Sequence, residues 1–93
     1  MIKSFADAAT EEISWGQFVP EFPAGIQAVA LRKLEQLNAA TELSQLMSPP
    51  GNRLHRLTQD RSGQYAVRIN RKYRLCFRWD GSHAHDVEIT DYH

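Results

Sequence analysis

The stretch QYAVRINRKYRLCFRW, residues 64–79, decides the fold. Apolar and polar residues alternate from Gln64 to Asn70, and they alternate again from Tyr73 to Trp79. Such alternation predicts two strands with one buried face each. For both apolar sets to reach one core, the connecting loop must contain an odd number of residues, and residues 70–72 meet this condition. The stretch therefore predicts an antiparallel hairpin.

This loop also predicts the register of the hairpin. On the core side Tyr65 is expected opposite Phe77 and Val67 opposite Leu75, while on the open side Arg68 faces Arg74 and Gln64 faces Arg78. Like charges directly opposite each other destabilise a sheet. A sheet face that tolerates facing arginines is therefore expected to meet an anion. The alternative is that Asp86 or Glu88, on the following strand, neutralises them.

The remaining segments complete an α+β pattern. The expected elements are a short first strand in MIKSF, a helix capped by Asp7 and closed by Gly16, a helix over residues 26–38, a turn capped by Thr41, and strands in residues 52–57 and 85–90. In the long helix Ile26, Ala30, Leu34 and Leu37 form one apolar stripe. The tandem prolines of SPPG, residues 48–51, are expected to end helical structure.

These elements predict a single domain of residues 1–93. Its N-terminal helices pack on one face of a small, mostly antiparallel, twisted sheet. The chain has one cysteine, Cys76, which excludes an internal disulfide. No apolar run reaches the length of a membrane span, and the N-terminus lacks the apolar centre of a signal peptide. We therefore expect a cytoplasmic protein that does not enter membranes.

The charges of the chain are segregated, although acidic and basic residues are equal in number, with 11 of each. Between Arg53 and Arg78 eight basic residues accompany one acid, Asp60. This local excess predicts a surface that binds a polyanion; the alternative is a solvated surface with dispersed arginines. Besides Arg74, the candidate phosphate-binding residues are Arg53, Arg56, Arg61, Arg68, Arg71, Lys72 and Arg78.

Histidine and tyrosine accompany these arginines. His55 lies in the basic segment RLHRL, and the chain ends on Asp91, Tyr92 and His93. Imidazoles can transfer protons near neutral pH, and arginine can stabilise charge on a phosphate. The set is typical of metal-free RNA cleavage. We expect no metal or cofactor, because His83 and His85 lack a third ligand nearby and glycine-rich phosphate loops are absent.

The segments MIKSF, RKLEQLNAATEL, SPPGNRL, SGQYAVRIN, YRLCFRW and VEITDYH resemble the HigB-type toxins of bacterial toxin–antitoxin systems, within the RelE/ParE superfamily. The resemblance runs nearly end to end and implies a RelE-like fold. It implies an mRNA interferase that cuts message on the translating 70S ribosome, with contacts to ribosomal RNA. It also implies a HigA-like helix-turn-helix antitoxin, through which alone the toxin would reach operator DNA.

The resemblance carries family roles onto His55, Arg74, Asp91, Tyr92 and His93. It makes the two histidines proton-transfer groups, without saying which is base and which acid. Arg74, with Arg68, would stabilise the phosphate, and Tyr92 would orient the reacting groups. Asp91 would orient an imidazole or Arg74, or cap the tail.

One departure from the family pattern concerns a lysine that many relatives carry three residues after the first histidine. Thr58 stands there in this chain, and Arg56 or Arg61 is the candidate to replace the missing cation. Two rival functions stay open: a ParE-like inhibitor of DNA gyrase without catalysis, and a catalytically weakened antitoxin-binding module, which the change at Thr58 suggests. The two histidines and the terminal tyrosine argue against the gyrase inhibitor, which does not need them.

Overall fold

A computed structural model describes residues 1–92; His93 lies outside the described residues. The helices are α1 (Ala8–Ser14) and α2 (Ala24–Ala39), and the strands are β1 (His55–Arg56), β2 (Gln64–Arg68), β3 (Tyr73–Trp79) and β4 (Ala84–Asp91). In the described part of the chain these strands form one antiparallel sheet in the order β1-β2-β3-β4. The expected α+β fold is confirmed.

The two helices begin near the expected positions. The Asp7 carboxylate accepts a hydrogen bond of 2.8 Å from the Thr10 backbone N–H, which satisfies one of the open donors at the start of α1. Helix α1 ends at Ser14, just before Gly16, whose φ of 84° ends the helical path. Helix α2 is longer than expected at its N-terminus, and its predicted stripe is buried.

The hairpin of β2 and β3 has the predicted register. Tyr65 lies opposite Phe77, and Arg68 lies opposite Arg74. The Ile69 backbone N–H donates to the Tyr73 carbonyl at 3.0 Å, so that the loop consists of residues 70–72. The odd loop places the apolar side chains of both strands against the helices, as the alternation predicted.

Three local expectations are wrong. MIKSF forms two isolated parallel bridges to β4, at Ile2 and Phe5, rather than a regular strand. The strand expected over residues 52–57 is reduced to β1, because Pro50–Asn52 forms a 3-10 turn and Arg53 adopts a left-handed conformation. A further 3-10 turn, Leu43–Met47, is capped by Glu42 rather than Thr41.

The core lies between the helices and one face of the sheet. Its buried residues are Ile13, Val19, Ile26, Ala30, Leu34, Leu37, Ala40, Leu46, Val67, Ile69, Leu75, Phe77, Ala84, Val87 and Ile89. The buried hydroxyl of Thr10 accepts a 3.0 Å hydrogen bond from the Ile89 backbone N–H, which ties α1 to β4. The opposite face of the sheet carries no helix from the described residues, and the candidate site is found there. Among residues 1–92, none of the helices has the length and apolar character needed to cross a membrane.

Candidate active site

The open face of the sheet carries a cleft of about 520 Å³, the main cleft. Its lining residues are Arg53, His55, Arg68, Arg71 and Tyr92. Four separate segments contribute to it: the turn before β1, β1 itself, the hairpin of β2 and β3, and the chain end. Every one of these five residues was expected from the sequence to bind phosphate or to take part in catalysis. The fold therefore brings a predicted imidazole, a predicted phenol and three predicted guanidinium groups around one space.

A buried asparagine holds the turn that leads into this cleft. Asn52 is 0% exposed, and its Nδ2 donates to the carbonyl oxygens of Leu46 and Ser48 at 3.1 and 3.2 Å. Its Oδ1 accepts a hydrogen bond from Lys33 Nζ, and Nδ2 also lies 3.1 Å from Gln36 Oε1. The network joins α2 to the residue that immediately precedes Arg53. No local pattern in the sequence indicates it, because its partners lie far apart along the chain.

The lysine of this network has a pKa below its ordinary value. Burial, together with the neighbouring positive charge of Arg32, lowers the pKa of Lys33. The hydrogen bond to the Asn52 side chain compensates part of the hydration that the ammonium group loses. The side chain of Asn52 thus serves both the backbone of the turn and a partly desolvated charge.

The imidazole of His55 is oriented by the backbone carbonyl of Arg53. Its Nδ1 lies 2.7 Å from the carbonyl oxygen of Arg53. A carbonyl oxygen can only accept a hydrogen bond, so Nδ1 carries the proton in this arrangement. In the neutral ring Nε2 is then the basic nitrogen. Arg53 has φ 47° and ψ 50°, and this left-handed turn directs its carbonyl toward the ring two residues later.

The hairpin loop orients Arg68 of β2 and carries Arg71. The carbonyl of Asn70 accepts a 3.1 Å hydrogen bond from Arg68 Nε. The side chain of the same residue accepts from the backbone N–H groups of Lys72 and Tyr73, at 2.8 and 2.7 Å, and so stiffens the loop that carries Arg71. Within residues 1–92, neither Arg68 nor Arg71 forms an ion pair with an acidic side chain. Their positive charges remain available to an anion.

The chain end is held against the sheet. The Tyr92 backbone N–H donates to the Lys72 carbonyl at 2.8 Å. The guanidinium carbon of Arg74 lies 5.2 Å from the centre of the Tyr92 ring, a cation–π contact. Arg74 Nε also donates to Thr90 Oγ1 at 3.3 Å. Thr90 was not expected to contribute, although the register that pairs it with Arg74 could have indicated it. The predicted catalytic residue His93 follows directly and lies outside the described residues.

Arg74 is not among the residues that line the main cleft, but it lines a second cleft of about 320 Å³. Thr58, Asp60 and Arg61 contribute to this second cleft, together with Leu57 and Gln59. Arg61 forms a 3.1 Å ion pair with Glu88, and both side chains are about one-third exposed. Of the two arginines considered as replacements for the missing lysine at Thr58, Arg61 is thus the one that lies in this cleft.

The other predicted residues lie apart from the main cleft. Arg78 pairs with Asp86 at 3.4 Å, and Lys72 pairs with Asp91 at 3.7 Å. Arg56 lies over the ring of Tyr65, on the other face of the sheet edge. The alternative, that Asp86 or Glu88 neutralises the strand arginines, therefore holds for Arg78. It does not hold for the facing pair of Arg68 and Arg74, for which the described residues provide no carboxylate partner.

Comparison with known proteins identifies the family of this chain. Residues 14–93 match the family model described as "RelE-like toxin of type II toxin-antitoxin system HigB". The chain belongs to this family of toxins. The resemblance noted in the sequence, which rested on six segments from MIKSF to VEITDYH, is thereby confirmed.

Individual proteins are also similar to this chain. Toxin HigB-1 of Vibrio cholerae is 44% identical over 57 residues, which make up 61% of this chain and 60% of that toxin. The matched stretch thus spans less than two-thirds of the relative's length. An uncharacterized protein of Haemophilus influenzae is 27% identical over 75 residues, 81% of this chain and 74% of that protein. A chain in the YoeB-YefM complex from Staphylococcus aureus shares the fold, with a TM-score of 0.55 at 17% identity and coverage of 100% and 98% of the two chains.

Proposed function

We propose that this protein is a ribosome-dependent endoribonuclease that cuts messenger RNA during translation and so arrests growth. The main support is the cleft in which His55, Tyr92 and three arginines converge. This set contains a group that can accept a proton, a group that can orient a phosphate and charges that can stabilise it. Membership in the toxin family supports the same function.

His55 is the proposed general base. With Nδ1 donating to the Arg53 carbonyl at 2.7 Å, Nε2 can take the proton of a ribose 2′-hydroxyl. The 2′-oxygen then attacks the adjacent phosphorus, and the bond from phosphorus to the 5′-oxygen breaks. The products would be a 2′,3′-cyclic phosphate and a 5′-hydroxyl end. The family resemblance makes His93 a second proton-transfer group, and with His55 as the base we propose that His93 is the acid that protonates the departing 5′-oxygen.

Arginines are proposed to stabilise the charge that develops on the phosphate. Arg68 and Arg71 line the cleft without acidic partners among residues 1–92. Arg74 is proposed to act with Tyr92, whose ring lies over its guanidinium group. Charge-assisted hydrogen bonds from guanidinium groups are roughly twice as strong as neutral ones. Asp91, paired with Lys72, is proposed to hold the tail in place rather than to contact RNA.

The proposed partners follow from the family. Message in the 70S ribosome is the proposed substrate, and a HigA-like helix-turn-helix antitoxin is the proposed inhibitor, which would connect the toxin to operator DNA. The bacterial cytoplasm is the proposed location. No metal or cofactor is needed for the proposed reaction, because the chain's own groups suffice for both proton transfers.

A translation reaction tests the proposal. Message is translated in vitro with wild-type protein, with His55→Ala and with His83→Ala, and its 5′ ends are mapped by primer extension. We expect cuts within translated codons with wild-type protein and His83→Ala, and a loss of at least about a hundredfold with His55→Ala. His83 is a matched control because it lies at the turn between β3 and β4, away from the cleft. Intact message from a wild-type protein that still arrests growth would reject the nuclease and make DNA gyrase the next target to test.

A further inference from the structure

A third concave surface, the edge groove, lies on the other side of the sheet edge. It encloses about 480 Å³ and is lined by Arg56, Leu57, Thr58, Ser62, Gly63, Tyr65 and Trp79. Strand β1 is the edge strand of the sheet, and His55 and Arg56 are its two residues. Because neighbouring side chains of a strand point to opposite faces, His55 faces the main cleft and Arg56 faces the edge groove.

Arg56 gives the edge groove a positive charge without a counter-ion. Its side chain is exposed, and its guanidinium carbon lies 5.7 Å from the centre of the Tyr65 ring. No carboxylate within residues 1–92 pairs with it, and none lines the groove. A guanidinium group that lies on an aromatic face still directs N–H donors outward from its edge. Arg56 is therefore held in place while its donors remain available to an anion.

Two aromatic rings, those of Tyr65 and Trp79, supply a further part of the groove's surface. Tyr65 stacks on the buried Phe77 at 6.2 Å between ring centres, and Phe77 meets Trp79 edge to face at 6.5 Å. Tyr65 and Trp79 are each only half-buried and both line the groove. Partly exposed aromatic rings beside an unpaired arginine form the combination that binds single-stranded nucleic acid, through stacked bases and a contacted phosphate.

The edge groove is continuous with the proposed site of cleavage. Leu57 and Thr58 line both the edge groove and the second cleft, and Arg74 and Tyr92 connect the second cleft to the main one. A polynucleotide in the main cleft can therefore continue past Thr58 and around the edge strand. Such a path would place one end of the RNA beside Arg56.

We propose that the edge groove is a second RNA-binding site, which holds single-stranded RNA flanking the cleaved linkage. Arg56 contacts a phosphate, and Trp79 stacks on a base. The choice of RNA over another polyanion rests on the proposed function. The groove itself is defined by its own contacts and is tested by binding, without cleavage.

Tryptophan fluorescence gives a direct test. The chain has two tryptophans, and Trp15 is 65% exposed at the end of α1, so that Trp15→Phe leaves Trp79 as the sole reporter. In this background we expect a short single-stranded oligoadenylate to quench the fluorescence of Trp79. Adding Arg56→Gln should weaken binding about threefold to tenfold and reduce the slope of log affinity against log salt by about 0.7, the value for one lost phosphate contact on a single strand.

A matched control removes the same charge elsewhere. Arg32→Gln, on the exposed side of α2, should leave both affinity and salt slope unchanged. Equal affinities of the Arg56→Gln and Arg32→Gln variants would overturn the proposal, as would RNA binding that leaves Trp79 fluorescence unaltered. The proposal is also overturned if Arg56→Gln weakens binding of the antitoxin but not of RNA, because the groove would then be a protein-binding surface.

Cleavage assays separate this proposal from the proposed function. If wild-type protein fails to cut message but Arg56→Gln still lowers oligoadenylate affinity, the nuclease is rejected and the groove remains. If cutting depends on His55 while Arg56→Gln binds RNA like wild type, the nuclease remains and the groove is rejected.

Discussion

Truncation of Asn52 to alanine tests whether the buried network beneath the main cleft stabilises the fold. The side chain accepts a hydrogen bond from Lys33 and directs Nδ2 at three oxygens, those of Gln36, Leu46 and Ser48. An amide nitrogen has two hydrogens, so these three contacts share two donors. The side chain thus provides one charge-assisted and two neutral hydrogen bonds, and all three are lost in Asn52→Ala.

The expected loss of stability follows from these contacts. A hydrogen bond to a charged group contributes about 1.5–3 kcal/mol and a neutral one about 1 kcal/mol. Lys33 and Gln36 are only half-buried and regain water in the variant, which reduces the total. We therefore expect the free energy of unfolding of Asn52→Ala to fall by about 3 kcal/mol.

Urea denaturation followed by circular dichroism measures this change. Asn38→Ala is the control. Among residues 1–92 the exposed Asn38 side chain accepts one hydrogen bond, from the Ile2 backbone N–H at 2.9 Å, and its loss should cost less than about 1 kcal/mol. Equal losses in the two variants would show that the buried network does not stabilise the fold in this way. At temperatures where Asn52→Ala remains folded, its cutting of message should also be weaker than that of Asn38→Ala, because Asn52 directly precedes Arg53.

The remaining predictions concern the arginines, the tail and the far end of the sheet. Arg71→Gln should lower the cutting rate in a translation reaction at least tenfold, on the order of one lost charge-assisted contact. Arg78→Gln should change the rate less than about threefold, because the charge of Arg78 is already paired with Asp86. Equal losses in the two variants would argue against the assigned cleft. Tyr92→Phe should keep the ring over Arg74 and retain more activity than Tyr92→Leu, measured in the same reaction; a phenylalanine variant as inactive as leucine would show that the hydroxyl, not the ring, is required. The hydrogen bond from His85 Nε2, at 2.8 Å, and those from the backbone N–H groups of Ser82 and His83 hold the pKa of Asp80 below its ordinary value. A carboxyl whose pKa is lowered on folding stabilises the folded state above its unfolded pKa and loses this contribution as the pH falls. The free energy of unfolding should therefore fall less steeply below pH ~4 in Asp80→Asn than in wild type. Equal slopes in the two proteins would contradict this.

The sheet register was predictable because it depends on the alternation of two adjacent segments and on the number of residues in the loop between them. An odd loop between two alternating runs allows both apolar faces to be buried, and a three-residue loop places Tyr65 opposite Phe77 and Arg68 opposite Arg74. The stripe of α2 is likewise a local pattern. The short β1 was not predictable in the same way. No pattern in residues 50–53 indicates that Asn52 is buried or that the backbone of Arg53 adopts a left-handed conformation.

The site divides along similar lines. Residue types and charge predicted that His55, Tyr92 and the arginines take part in one reaction. They did not predict which of the arginines line the same cleft. That distinction depends on strand parity and on the irregularity of β4 near Asp86, whose positive φ lets it pair with Arg78. Arg56 was expected to bind phosphate, and it faces the edge groove rather than the main cleft because it is adjacent to His55 in the same strand.

The proposed nucleophile is the ribose 2′-hydroxyl of the message itself, and a message lacking one such hydroxyl is the decisive substrate. Ribosomes are programmed with two messages that are identical except for a 2′-deoxynucleotide on the 5′ side of one linkage that wild-type protein cuts. We expect cutting to disappear at the deoxy linkage alone and to continue at neighbouring codons, leaving 5′-hydroxyl ends there. Cutting that continues at the deoxy linkage would contradict the proposed mechanism, because the nucleophile would then be something other than the neighbouring ribose.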